Sequence, residues 1–234
     1  MLVVKSWRAS EMPIPLAVVM MLTLGGAAGL AFRRPSESLP SVGSIWVTVL
    51  VIQVPVILMV HRFLRRHGVG WVDGFGFRQG SRAALMGWVL GGIAGSVVVL
   101  QGVNLAMVEL LRRLGVPADL QASVRALQTG PAAVKVSVAL TATILAPLME
   151  ESLFRGILYQ WVRDTGHRRV AMILTSVVFG VVHGNLPSLV PLAFFGGYLC
   201  WLYERTGNLL ACILTHAGFN AVFVGFLLAG CSGS

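Results

Sequence analysis

The chain has 234 residues, of which 56% are hydrophobic and only 12% are charged. A soluble domain carries about twice that share of charged residues, so the composition excludes an ordinary soluble protein and predicts a polytopic membrane protein. The net charge of +9 does not indicate nucleic-acid binding, because the basic residues of membrane proteins gather in cytoplasmic loops.

Seven apolar segments predict a helical membrane bundle. Lipid offers the backbone no hydrogen-bond partners, so the expected fold class is all-α, a transmembrane helical bundle of about seven spans (six to eight). In chain order the predicted spans are 13–32, 42–60, 83–111, 131–149, 170–183, 186–203 and 209–229. A short amphipathic helix is predicted at 150–162, where it follows or continues the fourth span.

The basic residues predict an orientation. Twelve of the 18 lie before the first span or after the second, fourth and sixth, which places the N-terminus in the cytoplasm. We predict a single membrane domain over residues 1–234, with no recognised motif in 1–129 and a candidate catalytic core in 130–230. The glycine-rich loop at 73–78, Asp-Gly-Phe-Gly-Phe-Arg, lacks the spacing of a dinucleotide-binding loop.

Two adjacent carboxylates and an arginine follow the fourth apolar run, at Glu150, Glu151 and Arg155. Ionisable groups at membrane depth are costly and usually mark a functional site. Adjacent helical residues point about 100° apart, whereas Glu151 and Arg155, four residues apart, can pair. We therefore expect Arg155 to position Glu151, and Glu150 to face a cavity as a general base. The alternative for this cluster alone is an interfacial helix cap with a solvated salt bridge.

Two further pairs place polar groups on apolar helices. Phe179 and His183 share one helix face, and His216 and Asn220 share another. His216 and Asn220 are costly in lipid, so we expect them to face the bundle interior, where two donors could hold a developing oxyanion. Alone, His183 is more typical of an interfacial residue, and the other pair is equally consistent with an interhelical hydrogen bond.

Together the three motifs, Glu-Glu-x-x-x-Arg, Phe-x-x-x-His and His-x-x-x-Asn, occur in this order within about 70 residues. In this combination they resemble the CPBP (CaaX protease and bacteriocin-processing, Abi) family of intramembrane proteases, which shares a superfamily with the CaaX prenyl endopeptidase. The resemblance covers roughly residues 134–224, less than half of the chain. Phe-Arg-Gly at 154–156 and Thr-Gly-Asn-Leu at 206–209 also fit it.

The resemblance implies an intramembrane endopeptidase. The resemblance implies that Glu150 and His183 activate a water and that His216 and Asn220 hold the oxyanion. The residues expected to shape the site are Glu151, Arg155 and Phe179. A non-catalytic membrane protein, of the bacteriocin-immunity type or an ion or proton pathway, is the alternative that uses the same polar groups.

The resemblance leaves the cofactor open between none and zinc. Family members are described both as metalloproteases and as glutamate-dependent enzymes, and Glu150, His183 and His216 also form a set of two histidines and one carboxylate that suits catalytic zinc. The implied partners are a peptide or protein substrate in the membrane and the lipid bilayer, without nucleic acid. The very apolar, glycine-rich sequence favours a bacterial inner (plasma) membrane.

The predicted span boundaries conflict with a single site. Glu150 lies at the cytoplasmic end of the fourth predicted span, whereas His183 closes the fifth at the opposite side. For the two to meet, Glu150 must lie well inside the bilayer, or the stretch from Arg168 to His183 must lie deep or be tilted.

Overall fold

Residues 39–230, the part of the chain that the computed structural model describes, form eight helices and no strand. Five of the helices are long and apolar enough to cross a membrane: α1, α3, α5, α7 and α8. The all-α membrane fold is therefore confirmed for these residues. The helices are α1 Val42–Arg66, α2 Trp71–Gly74, α3 Arg82–Arg113, α4 Ala122–Thr129, α5 Ala132–Arg163, α6 Arg168–Val181, α7 Leu186–Thr206 and α8 Leu209–Leu228.

Polar side chains define where several of these helices begin. Each accepts a hydrogen bond from a backbone N–H that the first helical turn leaves without a partner. The capping residues of α1, α3, α7 and α8 are Ser41, Ser81, Asn185 and Asn208. Gly207 adopts the left-handed conformation, with φ of 62°, so that only two residues separate α7 from α8.

Four of the predicted spans correspond to α1, α3, α7 and α8. The predicted span at 13–32 lies outside the described residues. The predicted fifth span is helical, but α6 has only 14 residues and is about 21 Å long, whereas a full crossing needs about 20 residues. The total of about seven spans stays a prediction.

Although it is short, α6 connects the two ends of the bundle. At its start Arg168 forms an ion pair with Glu204, near the end of α7. Beyond its last turn, the side chain of Asn185 donates to the backbone carbonyl of Asp119, between α3 and α4, at 2.9 Å. Helices α6 and α7 therefore form an antiparallel pair whose ends lie at opposite sides of the bundle.

Most of the described basic residues lie at one side, which we call the basic end. They are Arg62, Arg65, Arg66, Arg78, Arg82, Arg163, Arg168, Arg169 and Arg205. The opposite end has four basic residues, Arg112, Arg113, Arg125 and Lys135. Of these, Arg112 and Arg113 pair with Glu109. The one remaining described basic residue, Arg155, lies inside the bundle, with its side chain 1% exposed.

Of the two alternatives for the predicted helix at 150–162, the structure has the continuation of the fourth span and not a separate helix, and the predicted amphipathic character is wrong. Helix α5 continues without interruption to Arg163. Every residue from Glu151 to Gln160 is buried, so this stretch has no solvated face. The helix can continue because the bundle itself neutralises its charges, and the charges therefore do not mark an interface.

The continuation of α5 removes the conflict between the predicted boundaries. Glu150 lies about 27 Å from the start of α5 and about 20 Å from its end, at a rise of ~1.5 Å per residue. His183 follows α6, about 22 Å from the residue that starts this helix at the basic end. Glu150 and His183 therefore reach a similar depth, although they belong to helices that run in opposite directions.

Candidate active site

Two π-helical turns in α5, Thr141–Leu145 and Phe154–Leu158, set the directions of the side chains on this helix. A π turn inserts one residue and rotates everything beyond it on the helix surface. The first turn lies just before Pro147, whose ring has no N–H and crowds the carbonyl four residues earlier. The two glutamates lie between the two turns.

The first π turn leaves a carbonyl that α8 satisfies. The N–H of Ala146 bonds to the carbonyl of Thr141, so the next donor in this register would be Pro147, which has no hydrogen. The side-chain amide of Asn220 donates to the Ala142 carbonyl instead, at 2.8 Å. Asn220 is thereby held against α5, and its second amide hydrogen is left for another acceptor.

Glu151, Arg155 and His216 form a buried ion-pair group. Nη1 of Arg155 donates to Oε1 of Glu151 at 2.9 Å, and Nδ1 of His216 contacts the same oxygen at 2.8 Å. The side chains of Glu151 and Arg155 are 0% and 1% exposed. The Glu151–Arg155 pairing predicted from the spacing is confirmed. Two hydrogen bonds to one carboxylate oxygen fix its direction inside the bundle.

Arg155 has further partners on the neighbouring helices. Its Nη2 donates to the backbone carbonyl of Gly196 at 3.1 Å, and its guanidinium carbon lies 4.4 Å from the ring centre of Phe179. The same ring packs against the rings of His183, at 4.9 Å, and His216, at 5.8 Å. Phe179 thus contacts the arginine and both histidines, and it excludes water from the ion-pair group.

Glu150 faces two imidazole rings. Its Oε2 lies 3.9 Å from Nε2 of His183 and 4.0 Å from Nε2 of His216. Nδ1 of His183 lies 2.7 Å from the Phe179 carbonyl, and Nδ1 of His216 is engaged by Glu151. Since both partners are acceptors, each Nδ1 carries a hydrogen. Each Nε2 of a neutral ring therefore presents a lone pair toward Glu150.

Three hydrogen-bond acceptors thus converge on one small space. Within residues 39–230, no hydrogen bond reaches the buried Oε2 of Glu150. A buried acceptor of this kind needs a donor. If a water oxygen lay about 2.8 Å from both Glu150 Oε2 and His183 Nε2, the angle between the two acceptors at that oxygen would be roughly 90°. Two hydrogen bonds from one water tolerate this angle. The side chains of Glu150 and His183 are 17% and 23% exposed, so water can reach this space.

The segment that carries these side chains matches a known family. Residues 132–222 match the model described as Type II CAAX prenyl endopeptidase Rce1-like. We call residues 132–222 the Rce1-like segment. It contains all three motifs, so the resemblance found from them is confirmed. Together with the five apolar helices, the match identifies an integral membrane protein and supports a peptidase.

A curated relative extends the similarity beyond the Rce1-like segment. A Bacillus subtilis (strain 168) protein named "Putative membrane peptidase YdiL" is 24% identical over 213 residues, which are 89% of this chain and 81% of that protein. The similarity therefore includes most of the residues before 132. No solved structure matches the chain.

The donor set of the Rce1-like segment suits zinc chemically, but its spacing does not. Zinc bonds to nitrogen and oxygen are about 2.0–2.2 Å long, so two ligands at the tetrahedral angle lie roughly 3.4 Å apart. The observed separations from Glu150 to His183 and His216 are 3.9 and 4.0 Å. No group of three His, Cys, Asp or Glu side chains in residues 39–230 is placed to hold a metal ion. As placed, the three side chains fit a water better than a tetrahedral ion.

Sequence reasoning missed three contributors to the Rce1-like site. The ring of Phe195 packs on His216 at 5.2 Å, and Gly196 accepts from Arg155. The third is the carbonyl of Ala142, which binds Asn220. A backbone carbonyl has no signature in a sequence. The signal that could have revealed the π turn is Pro147 inside an otherwise uninterrupted apolar helix.

Proposed function

We propose that this chain is an intramembrane endopeptidase in which Glu150 and His183 activate the attacking water. The observation that carries this proposal is the position of Glu150 Oε2, buried and about 4 Å from two imidazole nitrogens. A carboxylate and an imidazole that both lack a donor can each accept one hydrogen of the same water. This arrangement orients the oxygen lone pairs away from both groups and toward a substrate.

The proposed reaction is hydrolysis with Glu150 as the general base. Glu150 accepts a proton from the water while the water oxygen bonds to the scissile carbonyl carbon. The electron pair of the C=O bond moves to the oxygen and forms the oxyanion. When the C–N bond breaks, Glu150 returns its proton to the leaving amine. His183 keeps its orientation because its Nδ1 donates to the carbonyl of Phe179.

His216 and Asn220 are the proposed oxyanion donors. The free amide hydrogen of Asn220 is one donor, and Nε2–H of His216 is the other when the ring is protonated. Glu151 fixes the orientation of this ring, since its carboxylate lies 2.8 Å from Nδ1. Arg155 in turn holds Glu151 in place, so both act as positioning residues.

The proposed substrate is a peptide or protein in the membrane, cleaved within the bilayer or near its surface. Glu150 lies near the middle of a helix that is about 48 Å long, deeper than a substrate confined to water reaches. We place the basic end in the cytoplasm, by the same rule that predicts a cytoplasmic N-terminus, and the protein in a bacterial inner (plasma) membrane. Within the single predicted domain of residues 1–234, the catalytic core stays assigned to 130–230.

A cleavage assay on the full chain in nanodiscs tests the proposal. The probes are quenched fluorescent peptides of one sequence, one farnesylated on a cysteine three residues from its C-terminus and one unmodified. Glu150→Gln should lower kcat by at least 100-fold, as expected for loss of a general base. The matched control is Glu109→Gln, which removes a carboxylate at the opposite end. Cleavage by Glu150→Gln at the wild-type rate would refute the proposal.

A further inference from the structure

The segment at 71–79, which we call the wedge segment, is bonded to the turn between α7 and α8. The side-chain amide of Asn208 donates to the carbonyls of Phe77 and Gln79 at 3.2 and 3.1 Å. The N–H of Leu209, the first residue of α8, donates to the carbonyl of Phe75 at 3.0 Å. Because Asn208 caps the helix that carries His216 and Leu209 is its first residue, the wedge segment fixes where α8 begins.

Gly76 allows the wedge segment to approach the turn closely at Gly207. Gly76 has a φ of 68°, a conformation that favours glycine. A Cβ at Gly76 would lie 2.1 Å from the carbonyl oxygen of Gly207, which is far inside van der Waals contact. Any larger residue at position 76 would therefore separate the two segments. The glycine spacing that did not fit a nucleotide loop is explained by this contact.

The ring of Phe75 lies directly on the backbone of α5. Phe75 is fully buried. A Cβ at Gly156 would lie 2.7 Å from Cε1 and 3.0 Å from Cζ of this ring, so position 156 has no room for a side chain. Gly156 belongs to the π turn Phe154–Leu158 and directly follows Arg155. The ring thus supports the turn from which Arg155 reaches Glu151.

The wedge segment therefore contacts both stretches of chain that carry the ion-pair group. One stretch is the π turn with Arg155, and the other is the start of α8, seven residues before His216. Arg155 and His216 meet on one oxygen of Glu151, at 2.9 and 2.8 Å. A shift of either stretch changes one of these two bonds, and with it the direction of the His216 ring.

We propose that Phe75 is a positioning residue of the hydrolytic site. Its ring packs on Gly156 and its carbonyl accepts a hydrogen bond from the first residue of α8. These two contacts position Arg155 and His216 so that both bind Glu151. This inference rests on the proposed function, and it places a determinant of the site outside the Rce1-like segment, more than 50 residues before that segment begins. Phe75 takes no part in the bond-making and bond-breaking steps of the proposed reaction.

Complementary substitutions in the full chain test this contact. Gly156→Ala adds a methyl group against the ring, and it should lower kcat on the order of 10- to 100-fold with KM unchanged, since small displacements of catalytic groups cost rates of this size. Phe75→Leu makes room, so the double variant should recover most of that loss. The matched control is Gly102→Ala, where nothing lies within 4 Å. This control should stay within twofold of the wild type.

The inference is overturned if Gly156→Ala keeps its kcat within twofold of the wild type. It is also overturned if the double variant melts at the wild-type temperature but is no faster than Gly156→Ala alone. If Gly156→Ala cannot be purified folded, Phe75→Leu decides: a severalfold lower kcat at constant KM supports the contact, and a wild-type kcat refutes it.

A measurement that does not need cleavage separates this inference from the proposed function. In protein labelled with ¹⁵N-histidine, Gly156→Ala, or Phe75→Leu if the former does not fold, should shift the ring resonances of His216, whereas Gly102→Ala should not. A wild-type protein that cleaves no probe but shows this shift would refute the peptidase alone. The opposite outcome would refute the positioning role alone. In that outcome the wild type cleaves, Glu150→Gln does not, and the His216 resonances are unchanged in Gly156→Ala or its substitute Phe75→Leu.

Discussion

Replacing Arg155 with methionine should destabilise the protein by about 3–5 kcal/mol, because it leaves the carboxylate of Glu151 buried without its cation. The contacts of Arg155 account for a loss of this size. A charge-assisted hydrogen bond such as that to Glu151, at 2.9 Å, contributes about 1.5–3 kcal/mol. A desolvated cation–π contact such as that with Phe179, at 4.4 Å, contributes about 2 kcal/mol. Methionine keeps most of the volume, so the change measures charge more than packing.

The melting temperature of the full chain in detergent measures this loss. At 2–4 °C per kcal/mol, the variant should melt on the order of 10 °C below the wild type. Arg112→Met is the matched control: its side chain is 71% exposed in the pair with Glu109, where solvent screens the charges, so its loss should leave the melting temperature nearly unchanged. Adding Glu151→Gln to Arg155→Met should restore part of the stability. If Arg155→Met melts within 2 °C of the wild type, the buried pair does not have the cost assigned to it.

Three further predictions follow from the site and its helices. Asn220→Ala should lower kcat about 10-fold or more, because it removes an oxyanion donor. It should also lower the melting temperature, and by less when Pro147→Ala supplies a backbone N–H to the Ala142 carbonyl. Gly180→Ala should lower the melting temperature by about 5 °C, because its Cβ would lie 2.5 Å from the Leu189 carbonyl oxygen, whereas Gly87→Ala, in open space, should not. Treatment with 1,10-phenanthroline should leave the initial rate unchanged, and a loss of rate reversed by added zinc would contradict the metal-free mechanism.

The contacts that could be predicted from the sequence are those between residues close together in the chain. Four residues separate Glu151 from Arg155, and this spacing alone brings them together on a helix. The pattern did not show where α5 ends. The charged residues there resemble residues at an interface, because His216, which also binds the Glu151 carboxylate, lies 65 residues further along the chain.

The π turns and the wedge segment depend on contacts that a linear pattern does not contain. The Ala142 carbonyl finds its donor in Asn220, 78 residues away, and Asn208 reaches back 131 residues to Phe77. Glycines at 76 and 156 are typical of many loops and membrane helices, so the sequence alone did not predict that Gly76 meets the carbonyl of Gly207 and Gly156 meets the ring of Phe75. Only the packing of distant helices gives these glycines a role.

The shortness of α6 has a consequence for the supply of water. A helix of about 21 Å that starts at the basic end stops roughly 9 Å short of the far side of a 30 Å hydrocarbon layer. The turn after it exposes polar backbone and holds His183, Gly184 and Asn185. Polar backbone at membrane depth is tolerated only where it is buried in protein or lines a water-filled cavity, and the partial exposure of this turn favours water beside it. In the proposed reaction each peptide bond hydrolysed consumes one water, so water beside this turn would also supply the reactant at Glu150.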